Sequence, residues 1–483
     1  MLFDSTALRQ IEIEQEQVLG NGVLMQRAGV AVARAAIAMT AVRAGPIVVI
    51  CGPGNNGGDA RLAGQALEAQ GLDVELIDAG SANALATALP TLAAMLARAA
   101  LVIDGLFGIG LSRPVTGPQA ALVAAINECA APVLAIDVPR GIDADTGGIV
   151  GGADGCCVEA DRTVTLIGGK PGLHMGAGAA RAGIVSIDTL GLDLDPARAP
   201  GELNSPAAFA SALRPRASDS HKGSFGTCVL VGGSSGMAGA IPLSARAALH
   251  AGAGRVVVHR LGAHTDVDWL HPEIMWRPLE LFRPAEASCL VIGPGLGDSD
   301  DARALLARAW RESPRLVIDA DGLTLLANDP ALAAAARPEG ASTCITPHPL
   351  EAARLLGTDA ARINGDRIAA ACELARRFRC DVVLKGQGSV LASAGSPRWY
   401  VNATGNAGLA SGGTGDVLAG VAGALLSRPG TQAAQALRAA VFLHGAAADA
   451  LVAKGVGPIG LTASELTVEL RSLLNRLIET SAR

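Results

Sequence analysis

The chain has 483 residues, 50% hydrophobic and only 17% charged, with 60 glycines and a formal net charge of −6. That length exceeds what one core usually fills, so two domains are expected in a globular chain rich in tight turns. No Lys/Arg run or aromatic-interleaved basic stripe is present, which argues against a nucleic-acid binder.

The N-terminal stretch Met1-Leu2-Phe3-Asp4-Ser5 lacks the basic and apolar regions of a signal peptide, and the apolar stretch 31–44 is broken by Arg34 and Arg43. A cytoplasmic protein without a membrane span is therefore expected. Residues 47–51 form a short apolar run ending in glycines. A helical pattern over 59–70 and a second run over 73–78 complete a βαβ unit. Apolar runs without alternation predict a parallel sheet covered on both faces. Runs at 101–104, 133–137 and 163–167 add strands, and 82–99 and 118–129 read as covering helices. The polar, proline-bearing stretch 213–220 suits a linker and places a boundary near residue 212. Beyond it, strands are predicted at 227–231, 255–259, 289–292, 316–319, 343–346 and 381–384, with helical patterns between most of them. Nine cysteines form an odd set without Cys-x-x-Cys, and Cys51, Cys228 and Cys289 fall in apolar runs. They read as reduced core residues and not as metal ligands.

The loop Cys51-Gly52-Pro53-Gly54-Asn55-Asn56-Gly57-Gly58-Asp59 joins a predicted strand to a helix. Its glycines let backbone approach a ligand closely, and the helix end favours phosphate. The Asn carbonyls suit a hard monovalent cation or a ribose. Asp104 and Asp137 each follow a strand, and the carboxyl ends of parallel strands are where open α/β sheets place their sites. Taken singly, these would be a glycine turn and loop-capping aspartates. Together they resemble the epimerase half of bifunctional NAD(P)H-hydrate repair enzymes over about residues 1–210. The Gly-Pro-Gly-Asn-Asn-Gly-Gly-Asp loop matches letter for letter, and the match runs down to Lys170-Pro171-Gly172-Leu173.

That resemblance implies a Rossmann-like three-layer domain over 1–212. In it Asn55, Asn56, Gly57, Gly58, Asp59, Gly108, Ile109, Gly110, Leu111, Ser112, Arg113 and Pro114 would hold the damaged dinucleotide. Asn56 and Asp104 would ligate K⁺, and Asp137 would contact the substrate at the reacting ring. Arg140 departs from the pattern, because it stands where a K⁺-ligating Ser is usual. A guanidinium there would repel K⁺ or replace it. Ala60 replaces a usual glycine and Gln26 a common acid.

In the second half, glycine-rich or polar loops follow apolar strands at 232–240, 293–297, 319–323, 346–351 and 385–389, and His221-Lys222-Gly223-Ser224-Phe225-Gly226 precedes the first of them. Most telling is 406–420, where Ser411-Gly412-Gly413-Thr414-Gly415-Asp416 opens an apolar helix. Free N–H groups and the helix dipole make such an entrance an anion site, and they are expected to keep Asp416 ionised as a base beside a phosphoryl group. A plain N-cap role for Asp416 is the alternative. This loop set resembles the ADP-dependent (S)-NAD(P)H-hydrate dehydratase domain, a ribokinase-like three-layer α/β fold, over about 213–483. By that resemblance Lys385, Gly386, Gln387, Gly388, Ser389 and Gly415 would bind the adenine nucleotide. Ala240, Gly297, His348 and Asp416 would bind the hydrated cofactor, with Asp416 the base.

The resemblance implies an α/β bifunctional enzyme acting on NADHX and NADPHX. One half would interconvert R and S hydrates. The other would use ADP with Mg²⁺ to phosphorylate the S hydroxyl and expel phosphate. Small-molecule substrates, no nucleic acid, no membrane and a homo-oligomer are the implied partnerships. Two rivals stay open at this point: a ribokinase-like small-molecule kinase fused to a dinucleotide-binding module, and a non-catalytic first half.

Overall fold

Six strands build the first sheet: β1 (Ile47–Cys51), β2 (Val74–Asp78), β3 (Leu101–Gly105), β4 (Val133–Ile136), β5 (Arg162–Leu166) and β6 (Ile184–Asp188). The computed structural model describes residues 1–40, 43–111, 113–262 and 267–481. The chain divides into two units, Met1–Glu202 and Leu203–Arg483. The first sheet runs in the order β2-β1-β3-β4-β5-β6 with every pair parallel. All five residues of β1 are buried because it alternates between two cores. Ile47, Val49 and Cys51 face a cluster with Leu8, Val32 and Leu67, whereas Val48 and Ile50 face one with Leu92, Leu96 and Ile126. Burial of each such aliphatic side chain contributes about 1.5–3 kcal/mol, so a charge on either face would be severely destabilising. The chain reverses direction across the sheet between β1 and β3, and the crevice at such a switch point is where α/β sheets bind ligands.

The second unit repeats this logic with a larger sheet. Its strands are β7 (Gly201–Leu203), which contains the junction between units, β8 (Thr227–Gly232), β9 (Arg255–Arg260), β10 (Met275–Arg277), β11 (Cys289–Ile292), β12 (Arg315–Ile318), β13 (Ser342–Ile345), β14 (Asp381–Leu384), β15 (Ser389–Ser393) and β16 (Trp399–Asn402). Order β10-β9-β8-β11-β12-β13-β14 is parallel, and β14, β15 and β16 continue it as antiparallel neighbours. The switch point lies between β8 and β11. Residues 203–212 belong to this unit, since Phe209 and Ala212 pack in its core. The junction therefore falls upstream of the expected residue 212, where apolar anchoring outweighs the linker-like polarity that follows.

One helix sets the position of the second site. Thr414–Ser427 is apolar nearly all round and buried along most of its length. A Cβ on Gly420 would lie 2.0 Å from Ser244 O, and one on Gly423 would lie 2.3 Å from Val291 Cγ2. Only glycine lets this helix press between the Ala240–His250 helix and β11, which fixes its N-terminus at the carboxyl ends of the strands. Among the described residues two helices, Val23–Thr40 and Ala433–Ala453, are long and apolar enough to cross a membrane by length and composition alone. Both pack into cores instead, through Ala28, Val32 and Ala36 and through Ala439, Leu443 and Ala447. All nine cysteines are free, and six of them are buried.

Candidate functional sites

In the first unit, Gly54 (φ 155°) turns the chain out of β1 and the helix Asn55–Glu68 begins at once. The Asn55–Asp59 stretch is thus the opening turn of a helix and not a loop before it. Gly52 runs so close to the β3 loop that a Cβ would lie 1.7 Å from Leu106 O. Asp104, 1% exposed, ties neighbouring loops together: its Oδ1 accepts from Leu106 N and its Oδ2 from Arg140 N, both at 3.1 Å. Asp137 adopts φ 69°, a left-handed conformation that costs a non-glycine residue about 1–3 kcal/mol and marks functional sites. Its Oδ1 lies 2.5 Å from the buried Lys170 Nζ and accepts from Leu166 N at 3.2 Å. Lys170 also donates to Leu166 O at 2.8 Å and Gly168 O at 3.3 Å.

Asp137 and Lys170 face a cavity of about 480 Å³ also lined by Glu12, Asn55, Asn56, Asp59, Gly108, Ile109 and Gly110, whereas Asp104 lies outside the lining. Asn56 Oδ1 and Asp137 Oδ2 both approach Gly108, at 3.6 Å and 3.0 Å from where its Cβ would sit. Burial, then the charges of Asp137 and Glu12, pushes the Asp59 carboxyl up to about 8. Glu12 is also raised, chiefly by burial, with the hydrogen bond from Asn55 Nδ2 (3.1 Å) opposing the shift. A protonated acid beside an ion-paired carboxylate gives one cavity both a proton donor and a proton acceptor. Of the residues expected here, Gly57 and Gly58 lie in the helix behind the lining. Leu111, Arg113 and Pro114 lie outside the lining, and Ser112 is outside the described residues. Lys170 and Glu12 had no predicted role. A lone lysine following an apolar strand and two glycines was the available signal for the first; nothing local marked the second.

Arg140 is 1% exposed. Its guanidinium stacks 4.2 Å from the Phe107 ring centroid and donates from Nη2 to Gln119 Oε1 at 2.6 Å. Nε and Nη1 are buried without an acceptor. Burial lowers its pKa, and Asp104 opposes that shift.

In the second unit, Gly413 (φ 87°) caps the Thr414–Ser427 helix, and Asp416 stands in the first turn. Lys385 Nζ lies 2.8 Å from Asp319 Oδ1 and 3.9 Å from Glu351 Oε2. A Cβ on Gly415 would lie 3.5 Å from Lys385 Nζ and 3.6 Å from Asp319 Oδ2, so the glycine entrance, the lysine and the carboxylates converge. Burial opposes the Lys385 charge, but Asp319, Glu351 and Asp416 outweigh it and hold its pKa above the ordinary value. Asp416 behaves contrary to expectation. Burial, followed by the charge of Asp319, pushes its carboxyl up to about 7 despite Lys385. Desolvation and like charge overcome the helix dipole, whose effect is smaller and local. Glu351 rises to about 7 for similar reasons, burial first.

Lys385, Gly386, Gln387, Gly388, Ser389, Thr414, Gly415 and His444 line a cavity of about 410 Å³. Behind its loop, Arg367 donates to Gln387 O at 2.6 Å and Leu384 O at 3.2 Å. His444 Nε2 donates to Thr414 O at 2.8 Å, and burial depresses its pKa to about 4, so it is neutral. Asp416 does not line this cavity, and its charged neighbours are Asp319, Lys385 and Asp321. Gly297 N donates to Asp321 Oδ2 at 2.8 Å, and Ala240 Cβ lies 3.1 Å from where a Cβ on Gly295 would sit. His348 caps the Pro349–Leu356 helix in a reciprocal box with Glu351, the residue that also faces Lys385. Asp319, Glu351 and His444 are the groups that sequence reasoning left without roles; each sits in a quoted loop or an apolar helix, and only folding shows their convergence.

Two family models match the chain: YjeF-related protein N-terminus over residues 21–172 and NAD(P)H-hydrate dehydratase over residues 228–471. The bifunctional NAD(P)H-hydrate repair enzyme Nnr of Coxiella burnetii is 36% identical over 500 residues, covering 98% of this chain and 99% of that one. Its Escherichia coli counterpart is also 36% identical, over 89% of this chain and 85% of its own. Among solved structures, the ADP/ATP-dependent NAD(P)H-hydrate dehydratase of Bacillus subtilis, co-crystallised with ATP/Mg²⁺, matches with TM-score 0.50 and 27% identity, covering 57% of this chain and 98% of that one. The chain therefore belongs to the family of bifunctional NAD(P)H-hydrate repair enzymes.

Proposed function

We propose that the chain repairs hydrated NADH and NADPH: its first unit interconverts the R and S hydrates, and its second dehydrates the S form at the expense of ADP. The observation that carries this reading is the convergence of Lys385, Asp319 and Gly415 with Asp416 at a glycine-rich helix entrance, beside the cavity of the Lys385–Ser389 loop. Hydroxide leaves carbon poorly and phosphate leaves well. Asp416 takes the proton of the S hydroxyl as its oxygen attacks the terminal phosphorus of ADP, and AMP departs. The C–O bond of the new ester then breaks, a ring proton is lost, and phosphate and NAD(P)H are released. A base with a pKa of about 7 is well matched to this task near neutral pH. Lys385 and the helix N–H groups stabilise the transferring phosphoryl oxygens.

Mg²⁺ would neutralise nucleotide phosphate charge in this step. Among the described residues no cluster of three His, Cys, Asp or Glu is suited to hold a metal. That fits a cation held mainly by nucleotide oxygens, and Asp319 would be its protein contact.

In the first unit, Asp59 protonates the departing hydroxyl, the ring nitrogen supplies the electron pair, and water returns to either face of the ring. Asp137, oriented by Lys170, accepts the proton of the returning water. The family implies K⁺ on Asn56 and Asp104, but the residues present do not fit it. The buried Arg140 guanidinium already puts a positive charge within electrostatic reach of Asp104, and a second cation would add like charge in a desolvated place. The epimerisation proposed here runs without it.

The test is incubation of the full chain with NADH hydrate, ADP and Mg²⁺ while reduced-nicotinamide absorbance and inorganic phosphate are followed. Both should rise together. A stable phosphorylated product with no recovery of absorbance would instead mark a kinase.

A further inference from the structure

The motif His221-Lys222-Gly223-Ser224-Phe225-Gly226 precedes β8, so it lies at the end of that strand opposite the Gly232–Gly236 loop, and the proposed repair chemistry does not use it. It borders a groove of about 830 Å³ that is also lined by Arg214, Arg216, Arg428 and Arg471. Arg428 directly follows the Thr414–Ser427 helix, whose 14 residues put it about 20 Å from the Asp416 end.

Charge in this groove is not balanced by the protein. Among the described residues none of the four arginines has a carboxylate within ion-pair distance, whereas Arg246 of the same unit pairs with Asp268. Asp219 is the one acid in the lining. Arg216 stacks 4.0 Å from the Phe225 ring centroid and donates to Gly252 O at 2.7 Å. Arg428 donates to Ala251 O at 2.9 Å and keeps a buried Nε without an acceptor. The two guanidiniums crowd one point: a Cβ on Gly252 would lie 3.1 Å from Arg216 Nη2 and 3.2 Å from Arg428 Nη2. The carbonyl bonds use one N–H of Arg216 and two of Arg428, with Ala212 O the second acceptor at 3.5 Å, but they do not offset the charge. Two helix C-termini here offer roughly −0.5 each, so even with Asp219 counted about half of the four positive charges is left uncompensated. Planar guanidiniums with spare donors fit phosphate oxygens.

We infer that this groove is a second anion site of the unit, distinct from the nucleotide cavity, that binds a di- or triphosphate group. The inference goes beyond the repair reaction and does not depend on it. The probe is sodium tripolyphosphate, added to the full chain without Mg²⁺ at an ADP concentration that no longer raises the melting temperature. A further rise is expected. It should weaken with salt, and the exposed charge reversals Arg214→Glu and Arg471→Glu together should weaken binding about tenfold or more, while the ADP-induced shift remains. Arg214→Lys with Arg471→Lys should keep most of the effect. Parallel titrations with pyrophosphate and ATP distinguish a free polyphosphate from a nucleotide. No increment above saturating ADP, an increment equalled by sulfate at matched ionic strength, or one unchanged in the double Glu variant would each overturn the inference.

Discussion

Asp416→Asn should make the protein more stable while abolishing dehydration. In the folded chain the Asp416 carboxyl rises from an ordinary value of 3.8 to about 7, with burial the main cause and Asp319 next. A raised folded-state pKa means that the stability associated with this group is fully present below about 4 and is lost as pH climbs through about 7. Three decades of proton affinity at 1.36 kcal/mol per decade bound the loss at about 4 kcal/mol. Partial exposure and screening bring the expected value nearer 2 kcal/mol. Asparagine keeps the shape and never ionises, so its advantage should be near zero at acid pH, grow between about pH 4 and 7 and level off above. Denaturant unfolding of wild type and variant at several pH values, following the transition that ADP stabilises, measures this. Turnover of NADH hydrate should fall by about 10³-fold or more, as for loss of a general base. A variant equal to or less stable than wild type at pH 8, or one whose advantage does not vary with pH, would refute the claim that desolvation and like charge dominate over the helix dipole.

The same shift predicts that kcat/KM for dehydration rises with pH and reaches a plateau above about 7, because the base must be ionised; a profile flat from acid to neutral pH contradicts this. Wild-type R/S equilibration should be unchanged by saturating KCl, whereas Arg140→Ser should be slower and regain rate and thermal stability on K⁺ addition; strong K⁺ activation of the wild type would show that the guanidinium does not stand in for the cation. Lys170→Met leaves Asp137 without a charged partner in a largely buried place and should cost the first unit about 3–5 kcal/mol along with epimerisation. Adding Asp137→Asn to that variant should recover part of the stability but none of the rate, and thermal melts of the two variants compare them directly.

Parallel strands were legible because a strand buried on both faces reads as an uninterrupted apolar run, as at Ile47–Cys51 and Cys289–Ile292. Short edge strands such as Met275–Arg277, with intermediate or exposed residues, carry no such signal and went unpredicted. The helix start at Asn55 was set too late because Asn and Gly are weak helix formers, and the turn at Gly54 overrides that propensity. Candidate loops were found from glycine and carboxylate placement after strands. Their electrostatics were not, because the proton affinities of Asp59 and Asp416 depend on neighbours remote in sequence. Asp319 and Glu351 illustrate the same limit: nothing local says that Lys385 will stand between them.

The nine thiols carry a practical corollary. Burial raises the pKa of every one of them, including the half-exposed Cys129, Cys156 and Cys372. Peroxides and alkylating reagents attack the deprotonated sulfur, which is scarce here at physiological pH. A protein so rich in sulfur should therefore withstand oxidants and iodoacetamide while folded, and become vulnerable only when its interior opens.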